Sequence, residues 1–221
     1  FQPTLMAGGA CVLMSHWNAA EFVAEVARRR GTGAFMVPAQ LSMLLDDPAF
    51  DAARLASLRK IVYGAAPSPP ELIARAERLL PNCELIQNFG QTETGPLITQ
   101  TPADRRRKPD CLGRPSPHVE VAILDASGSP AAAGEAGEIA ARGVHVMSGY
   151  LGDDAANREF FRFGNGWGLT GDIAVAGPDG LITMVDRAKD VIIAGGVNIY
   201  PAEIERILAQ HPEVADCAAF G

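Results

Sequence analysis

The chain has 221 residues and a net charge of −7, from 19 basic and 26 acidic side chains. That length admits one large or two modest domains, and a 48% hydrophobic content is ordinary for a packed core, which excludes wholesale disorder. The one basic cluster, Arg105-Arg106-Arg107-Lys108, is too short to make a nucleic-acid binder and reads as a solvated loop. No apolar run approaches the roughly 18 residues of a membrane span, and nothing at the start resembles a signal peptide. Cys11, Cys83, Cys111 and Cys217 lack C-x-x-C spacing, so reduced thiols in a cytoplasmic protein are expected and a metal cluster is disfavoured.

In chain order, Asn18 caps a first helix, with Glu21 closing a capping box. Phe22, Val23 and Val26 give its apolar face, and Gly31 follows the basic end Arg28-Arg29-Arg30. Residues 34–37 read as a buried strand, and Pro38 opens a helix through Leu45. Ile61-Val62-Tyr63 is a strand ended by Gly64. A helix over 70–80 turns Leu72, Ile73, Ala76, Leu79 and Leu80 inward, and 84–87 is the next strand. This alternation predicts an α/β fold, a parallel sheet with crossover helices.

After Asp104 the texture changes. Residues 119–124, 137–141 and 181–185 are short strands between Gly, Pro and Asp turns, with one short helix near 154–160: antiparallel sheet or barrel material. Past Arg187 come a strand at 191–193, Gly195-Gly196, a helix from Pro201 through Leu208 and a strand over 214–220, the opening of an α+β domain. The expected division is 1–105, an α/β subdomain; 106–186, a small antiparallel β-barrel-like subdomain; and 187–221, a hinge and the start of a C-terminal domain.

Four segments can carry chemistry. Gln87-Asn88-Phe89-Gly90-Gln91-Thr92-Glu93-Thr94-Gly95-Pro96 sits where a parallel strand ends, the usual ligand position of open α/β sheets. A Thr hydroxyl beside a Glu carboxylate suits a phosphate and Mg²⁺, and Phe89 offers a stacking face; a polar turn with a capping Thr explains the same residues. Gly64-Ala65-Ala66-Pro67-Ser68-Pro69-Pro70 offers a flat wall for a ring, or only a strand-to-helix turn. Asp172, after Thr170-Gly171, can accept the hydroxyls of a ribose, or form an Asx turn. In 186–205 a charged run leads to paired glycines and Asn198 before a Pro-started helix, a loop open to close approach. His16, His118, His145 and His211 have no partner at a telling spacing and read as surface or turn residues.

Together and in this order, these segments resemble the adenylate-forming acyl-CoA synthetases, which activate a carboxylic acid with ATP and pass it to coenzyme A. The resemblance spans essentially the whole chain: GAAPSPPEL at 64–72, QNFGQTETGP at 87–96, LGRPSPHVEVAILD at 112–125, GEIAARGVHVMSGYLGD at 137–153, GWGLTGDIA at 166–174 and DRAKDVIIAGGVNIYPAEIE at 186–205. It implies that Ala65 and Phe89 sandwich the adenine of ATP or AMP, with Gln87 and Asn88 nearby; the family more often has Tyr at the position of Phe89. It implies that Thr92 bonds the α-phosphate, Glu93 ligates Mg²⁺, and Asp172 and Arg187 hold the ribose. Lys189 falls at the hinge, Gly195 and Gly196 along the path of coenzyme A, and Asn198 near the nucleotide. Val37, Gln40, Leu41, Gly64, Gly90 and Gln91 fall where the family lines its acyl pocket.

The substrate so implied is a medium- or long-chain fatty acid, since glycines at 64 and 90 leave a tunnel open, with an aryl acid as runner-up. A ligase acting on a carrier protein and a non-catalytic adenylate-binding scaffold are the other readings; the IAGGVN segment at 193–198 argues against an amino-acid adenylation domain. A homodimer of the full-length enzyme is within expectation. The family's phosphate loop and its active-site His belong upstream of Phe1, and its acyl-contacting lysine belongs beyond Gly221. The chain is therefore expected to be an internal fragment, unable alone to catalyse acid-dependent pyrophosphate exchange.

Overall fold

The computed structural model describes residues 2–66, 68–194, 197–208, 211, 213, 214 and 217–221. They form two compact units, Phe1–Val62 with Ala66–Glu84, and Tyr63–Ala65 with Leu85–Gly221.

The first unit holds helices α1 (Gln2–Met6), α2 (Ala19–Arg29), α3 (Pro38–Asp46) and α4 (Pro70–Leu79), with strand β1 (Gly33–Met36) beside the start of β2 (Lys60–Gly64). Asn18 caps α2 as expected: its extended backbone aims Oδ1 at the Glu21 amide, 2.8 Å away. The helix ends through Arg30, which takes the left-handed turn at φ 54° while the Gly31 amide bonds the Val26 carbonyl. Pro38 and Pro70 each open a helix where no backbone donor is needed. The inward faces are Val23 and Val26 on α2, Leu41, Leu44 and Leu45 on α3, and Ile73 and Ala76 on α4. Arg75 donates to the Leu45 carbonyl at 2.8 Å and fastens α4 to α3. Cys83 is buried here, and burial pushes its thiol up to about 11, so it is inert at neutral pH.

The second unit begins at the end of β2, beside β3 (Glu84–Gln91). The parallel part of the sheet, β1 to β3 with α3 and α4 as crossovers, thus stands as anticipated. It does not stop there. β4 (Gly95–Gln100) turns back antiparallel on β3, and β5 (Arg114–Pro115) pairs antiparallel with β4. Between them lies helix α5 (Pro102–Arg107), which occupies most of the basic cluster read as a loop. Its signals are Thr101 and Asp104, reciprocal caps, with three arginines at the end that favours cations. Arg105 is not solvated: it donates to the Leu85 carbonyl at 3.0 Å and to the Tyr63 hydroxyl at 3.2 Å. Asp104 is buried, which alone raises its carboxyl; donors from Thr101 and Arg114 outweigh this and hold it below the usual range.

Strands β6 (Glu120–Leu124), β7 (Ala136–Arg142), β8 (Gly168–Ala176) and β9 (Ile182–Arg187) form a four-stranded antiparallel sheet in that order, with α6 (Asp154–Phe160) between β7 and β8. Leu97, Ile98, Leu112, Ile123, Ile139, Ala141, Ala174 and Ile182 close one core over β4 and this sheet. The chain then forms hairpin β10 (Ile192–Ala194) and β11 (Val197–Ile199), and α7 (Pro201–Leu208). The strand expected over 214–220 is not seen among the described residues: the Ala219 amide bonds the Glu205 carboxylate at 2.9 Å instead of a strand partner. Among the described residues no helix is long and apolar enough to cross a membrane.

Candidate functional site

The Thr92–Glu93 pair sits at the tip of the β3–β4 hairpin, in a three-residue turn over 92–94. Its geometry depends on glycine. The register slips between Phe89 and Gly90, and a Cβ on Gly90 would stand 2.1 Å from the Gly95 carbonyl oxygen. Gly95 itself has φ +62°. Thr94 is fully buried and anchors the turn from below, its amide bonding the Gln91 carbonyl at 3.2 Å, while Thr92 is exposed.

Glu93 is held from two sides by the segment after β7. The Met147 amide donates to the Glu93 carbonyl at 2.7 Å, and the Tyr150 hydroxyl donates to Glu93 Oε1 at 2.8 Å. Burial, and then Glu93 itself, push the Tyr150 phenol above its usual value, so it remains a donor at neutral pH. Glu93 Oε2 makes no hydrogen bond to the described residues. Among these residues no three His, Cys, Asp or Glu side chains gather into a metal cage. One placed carboxylate fits Mg²⁺, which commonly takes one or two carboxylates and completes its shell with phosphate oxygens and water.

Asp172 and Arg187 are directly opposite in the β8–β9 register, 15 positions apart in sequence, with Arg187 Nε 3.5 Å from Asp172 Oδ1. Asp172 is 8% exposed. Burial raises its carboxyl pKa; Arg187 opposes this, the nearby Glu138 carboxylate adds to it, and a Thr170 hydrogen bond lowers it. Glu138 accepts from the Gly171 amide at 2.9 Å and is paired with Arg162. A carboxylate desolvated this far, with one long ion pair and a single hydrogen bond from Thr170, retains acceptor capacity for hydroxyls brought to it. The nearby acid on β9 is used differently: Asp186 accepts from the Arg187 amide at 2.7 Å and the Ala202 amide at 2.9 Å, and so caps α7 from β9.

The remaining expected residues are placed as follows. Gly64 meets Asn88 closely, a Cβ there falling 2.1 Å from the Asn88 carbonyl oxygen. Ala65 is exposed at φ +67°, a left-handed conformation that costs a non-glycine residue about 1 kcal/mol. Asn88 Oδ1 accepts from the Thr99 hydroxyl at 3.0 Å; Gln87 stands opposite Gln100, and Phe89 packs part of its ring on the core. Lys189 is exposed in the turn from Arg187 to Asp190, and Asn198 is exposed on β11 opposite Ile193. Their side chains make no hydrogen bond to Glu93 or Asp172. Gly195 and Gly196 lie outside the described residues.

Of the residues expected to line an acyl pocket, Val37, Gln40 and Leu41 lie at the start of α3 in the first unit. Gln40 Oε1 accepts from the Val37 amide at 3.0 Å, and Leu41 is fully buried. Gly64, Gly90 and Gln91 lie in the second unit, Gln91 opposite Gly95.

Sequence reasoning missed Tyr150. Its only local signals were Gly149 before it and the Asp153 cap of α6 after it, neither of which points to a contact 57 positions away. His145, read as a surface or turn residue, has a buried Nε2 without a hydrogen-bond partner.

Residues 2–151 match the family described as AMP-binding enzyme. The chain is 38% identical over 220 residues to a feruloyl-CoA synthase from Amycolatopsis sp, covering 99% of this chain and 44% of that protein. It is 36% identical over 226 residues to a medium/long-chain-fatty-acid–CoA ligase from Mycobacterium tuberculosis, covering 100% of this chain and 38% of that protein. The solved structure of O-succinylbenzoate coenzyme A synthetase from Bacillus subtilis, in complex with ATP and magnesium ion, matches with a TM-score of 0.84 at 30% identity, over 99% of this chain and 44% of that one. The chain thus spans less than half the length of these relatives.

Proposed function

Because the chain belongs to the AMP-binding enzyme family, we propose that it supplies the nucleotide site and hinge of an ATP-dependent acid–thiol ligase. The reaction proposed for the whole protein is attack of a carboxylate on the α-phosphorus of ATP, with loss of pyrophosphate, then transfer of the acyl group from AMP to coenzyme A. The observation that carries this reading is Asp172, a carboxylate kept buried against its own solvation beside Arg187. Burying a charge is costly, and an acceptor for the ribose hydroxyls gives the cost a use.

In this scheme Thr92, exposed at the hairpin tip, donates to an α-phosphate oxygen. Glu93 presents its carboxylate to Mg²⁺, which when bound neutralises charge building on the phosphate oxygens. Asp172 accepts from the ribose and Arg187 donates beside it. Ala65 and Phe89 bound the adenine, with Gln87, Asn88 and Asn198 near it. Lys189, in an exposed turn, is the pivot between the two half-reactions, and Gly195 and Gly196 lie toward coenzyme A. The divisions at 105 and 186 are proposed as the subdomain limits of this design.

The acid proposed is a hydrophobic carboxylic acid. The aliphatic reading rests on glycines 64 and 90 as an open tunnel, but the missing Cβ atoms there make room for backbone carbonyls of Asn88 and Gly95. With that support weakened, an aryl acid, favoured by the likeness to a feruloyl-CoA synthase, stands beside the fatty acid. Thioester formation by the whole protein, measured with medium- and long-chain fatty acids, ferulate and benzoate, separates the two. The fatty-acid reading expects the highest kcat/KM on an aliphatic chain; a higher value for ferulate establishes the aryl reading. Adenylation without any coenzyme A thioester would refute coenzyme A as the acceptor.

A further inference from the structure

Glu93 stands on a three-residue turn with its side chain half-exposed, and nothing in β3 or β4 fixes its rotamer. A single carboxylate that must meet a cation is useful only if it is already aimed. What aims it comes from elsewhere in the chain. Tyr150 Oη donates to Oε1 at 2.8 Å, and the Met147 amide holds the Glu93 backbone at 2.7 Å.

Tyr150 is itself held. Its amide donates to Asn157 Oδ1 at 2.6 Å, and Asn157 Nδ2 donates back to the Tyr150 carbonyl at 3.0 Å. Asn157 lies in α6, whose first turn is capped by Asp153 through the Ala156 amide at 2.9 Å. The Tyr150 ring packs edge-on against Phe160 of the same helix, with centroids 6.1 Å apart. Gly149, at φ +143°, is required for this approach: a Cβ there would stand 2.7 Å from Asn157 Oδ1. Backbone conformation, a reciprocal amide pair and an aromatic contact thus converge on the placement of one hydroxyl.

We propose that Tyr150, clamped to α6 by Asn157, is a positioning residue that presets the Glu93 carboxylate for the divalent cation of the nucleotide. This rests on the reading of Glu93 as a Mg²⁺ ligand. One oxygen of Glu93 takes the phenol hydrogen and the other faces the cation, so the hydroxyl selects the carboxylate's orientation without entering the metal's shell. Removing such an outer partner weakens metal binding by about tenfold or more.

The test is a Mn²⁺ titration of the ATP-bound protein, read by electron paramagnetic resonance, on wild type, Tyr150→Phe, Asn157→Ala and Glu93→Gln. Tyr150→Phe keeps the ring on Phe160 and deletes only the hydroxyl. It is expected to raise the Mn²⁺ dissociation constant about tenfold, with ATP affinity in the absence of metal and the unfolding midpoint unchanged. Asn157→Ala should shift it in the same direction. If Glu93→Gln weakens Mn²⁺ but Tyr150→Phe binds it as wild type does, the positioning role is overturned and the ligand reading stands. If Glu93→Gln leaves Mn²⁺ binding unchanged, the ligand reading itself falls. Equal loss of metal-free ATP binding in Tyr150→Phe would mark a general distortion and likewise overturn the proposal.

Discussion

Replacing Asp172 by asparagine is expected to weaken ATP binding by about tenfold to a hundredfold, the worth of one or two hydrogen bonds to a charged acceptor, without weakening the fold. Asparagine keeps the shape and one acceptor oxygen but loses the charge that two ribose hydroxyls would meet. The stability side has a definite sign. Burial, partly opposed by Arg187 and reinforced by Glu138, raises the Asp172 pKa in the folded chain. The folded state therefore holds this proton more tightly than the unfolded state does, whose carboxyl titrates near about 4. As pH rises from that unfolded value through the raised folded one, wild type loses stability that the variant keeps. Thermal melts across this window should show Asp172→Asn gaining on wild type as pH rises, with the gap closing at lower pH. A variant less stable than wild type at neutral pH would show that the Arg187 pairing outweighs burial.

Gly90→Ala is expected to destabilise the second unit by about 3 kcal/mol, at the upper end of ordinary overpacking. The added Cβ would meet Gly95 O at 2.1 Å and Pro96 Cα at 2.9 Å, all backbone, so no side-chain rotation relieves the clash and the hairpin must part. Gly95→Ala supplies the contrast. A Cβ on Gly95 would enter open space, and only the φ of +62° opposes it, a cost of about 1 kcal/mol. Urea unfolding of the two variants should therefore give the larger fall in midpoint for Gly90→Ala. Equal falls would mean that the bulge between Phe89 and Gly90 can absorb a methyl group.

Apart from the short helix α1, which was not anticipated, the elements of the first unit were legible because each announces itself locally: Asn18 as a cap, Pro38 and Pro70 at helix starts, apolar spacing on α2 and α4. The misses have equally local causes. Helix α5 was hidden because a run of arginines looks like a solvated loop, whereas its caps, Thr101 and Asp104, lie just before the run. β4 was hidden because Gly95-Pro96 reads as a turn continuing, although those residues open the return strand of a hairpin. In the site, Asp172 was legible from its own turn as an acceptor for ribose hydroxyls, Arg187 came from the family resemblance, and the β8–β9 register supplies the reason that they meet. No periodicity or motif joins Tyr150 to Glu93, since that contact is made by folding alone.

Acid-dependent exchange of labelled pyrophosphate into ATP by the whole protein, with and without Glu93→Gln, tests the central claim that the β3–β4 turn serves acyl adenylation. Exchange is expected to require both an acid and Mg²⁺, and to fall at least about a hundredfold when the metal's carboxylate is neutralised. Exchange at the wild-type rate in Glu93→Gln, or no exchange with any acid of the panel, would contradict it.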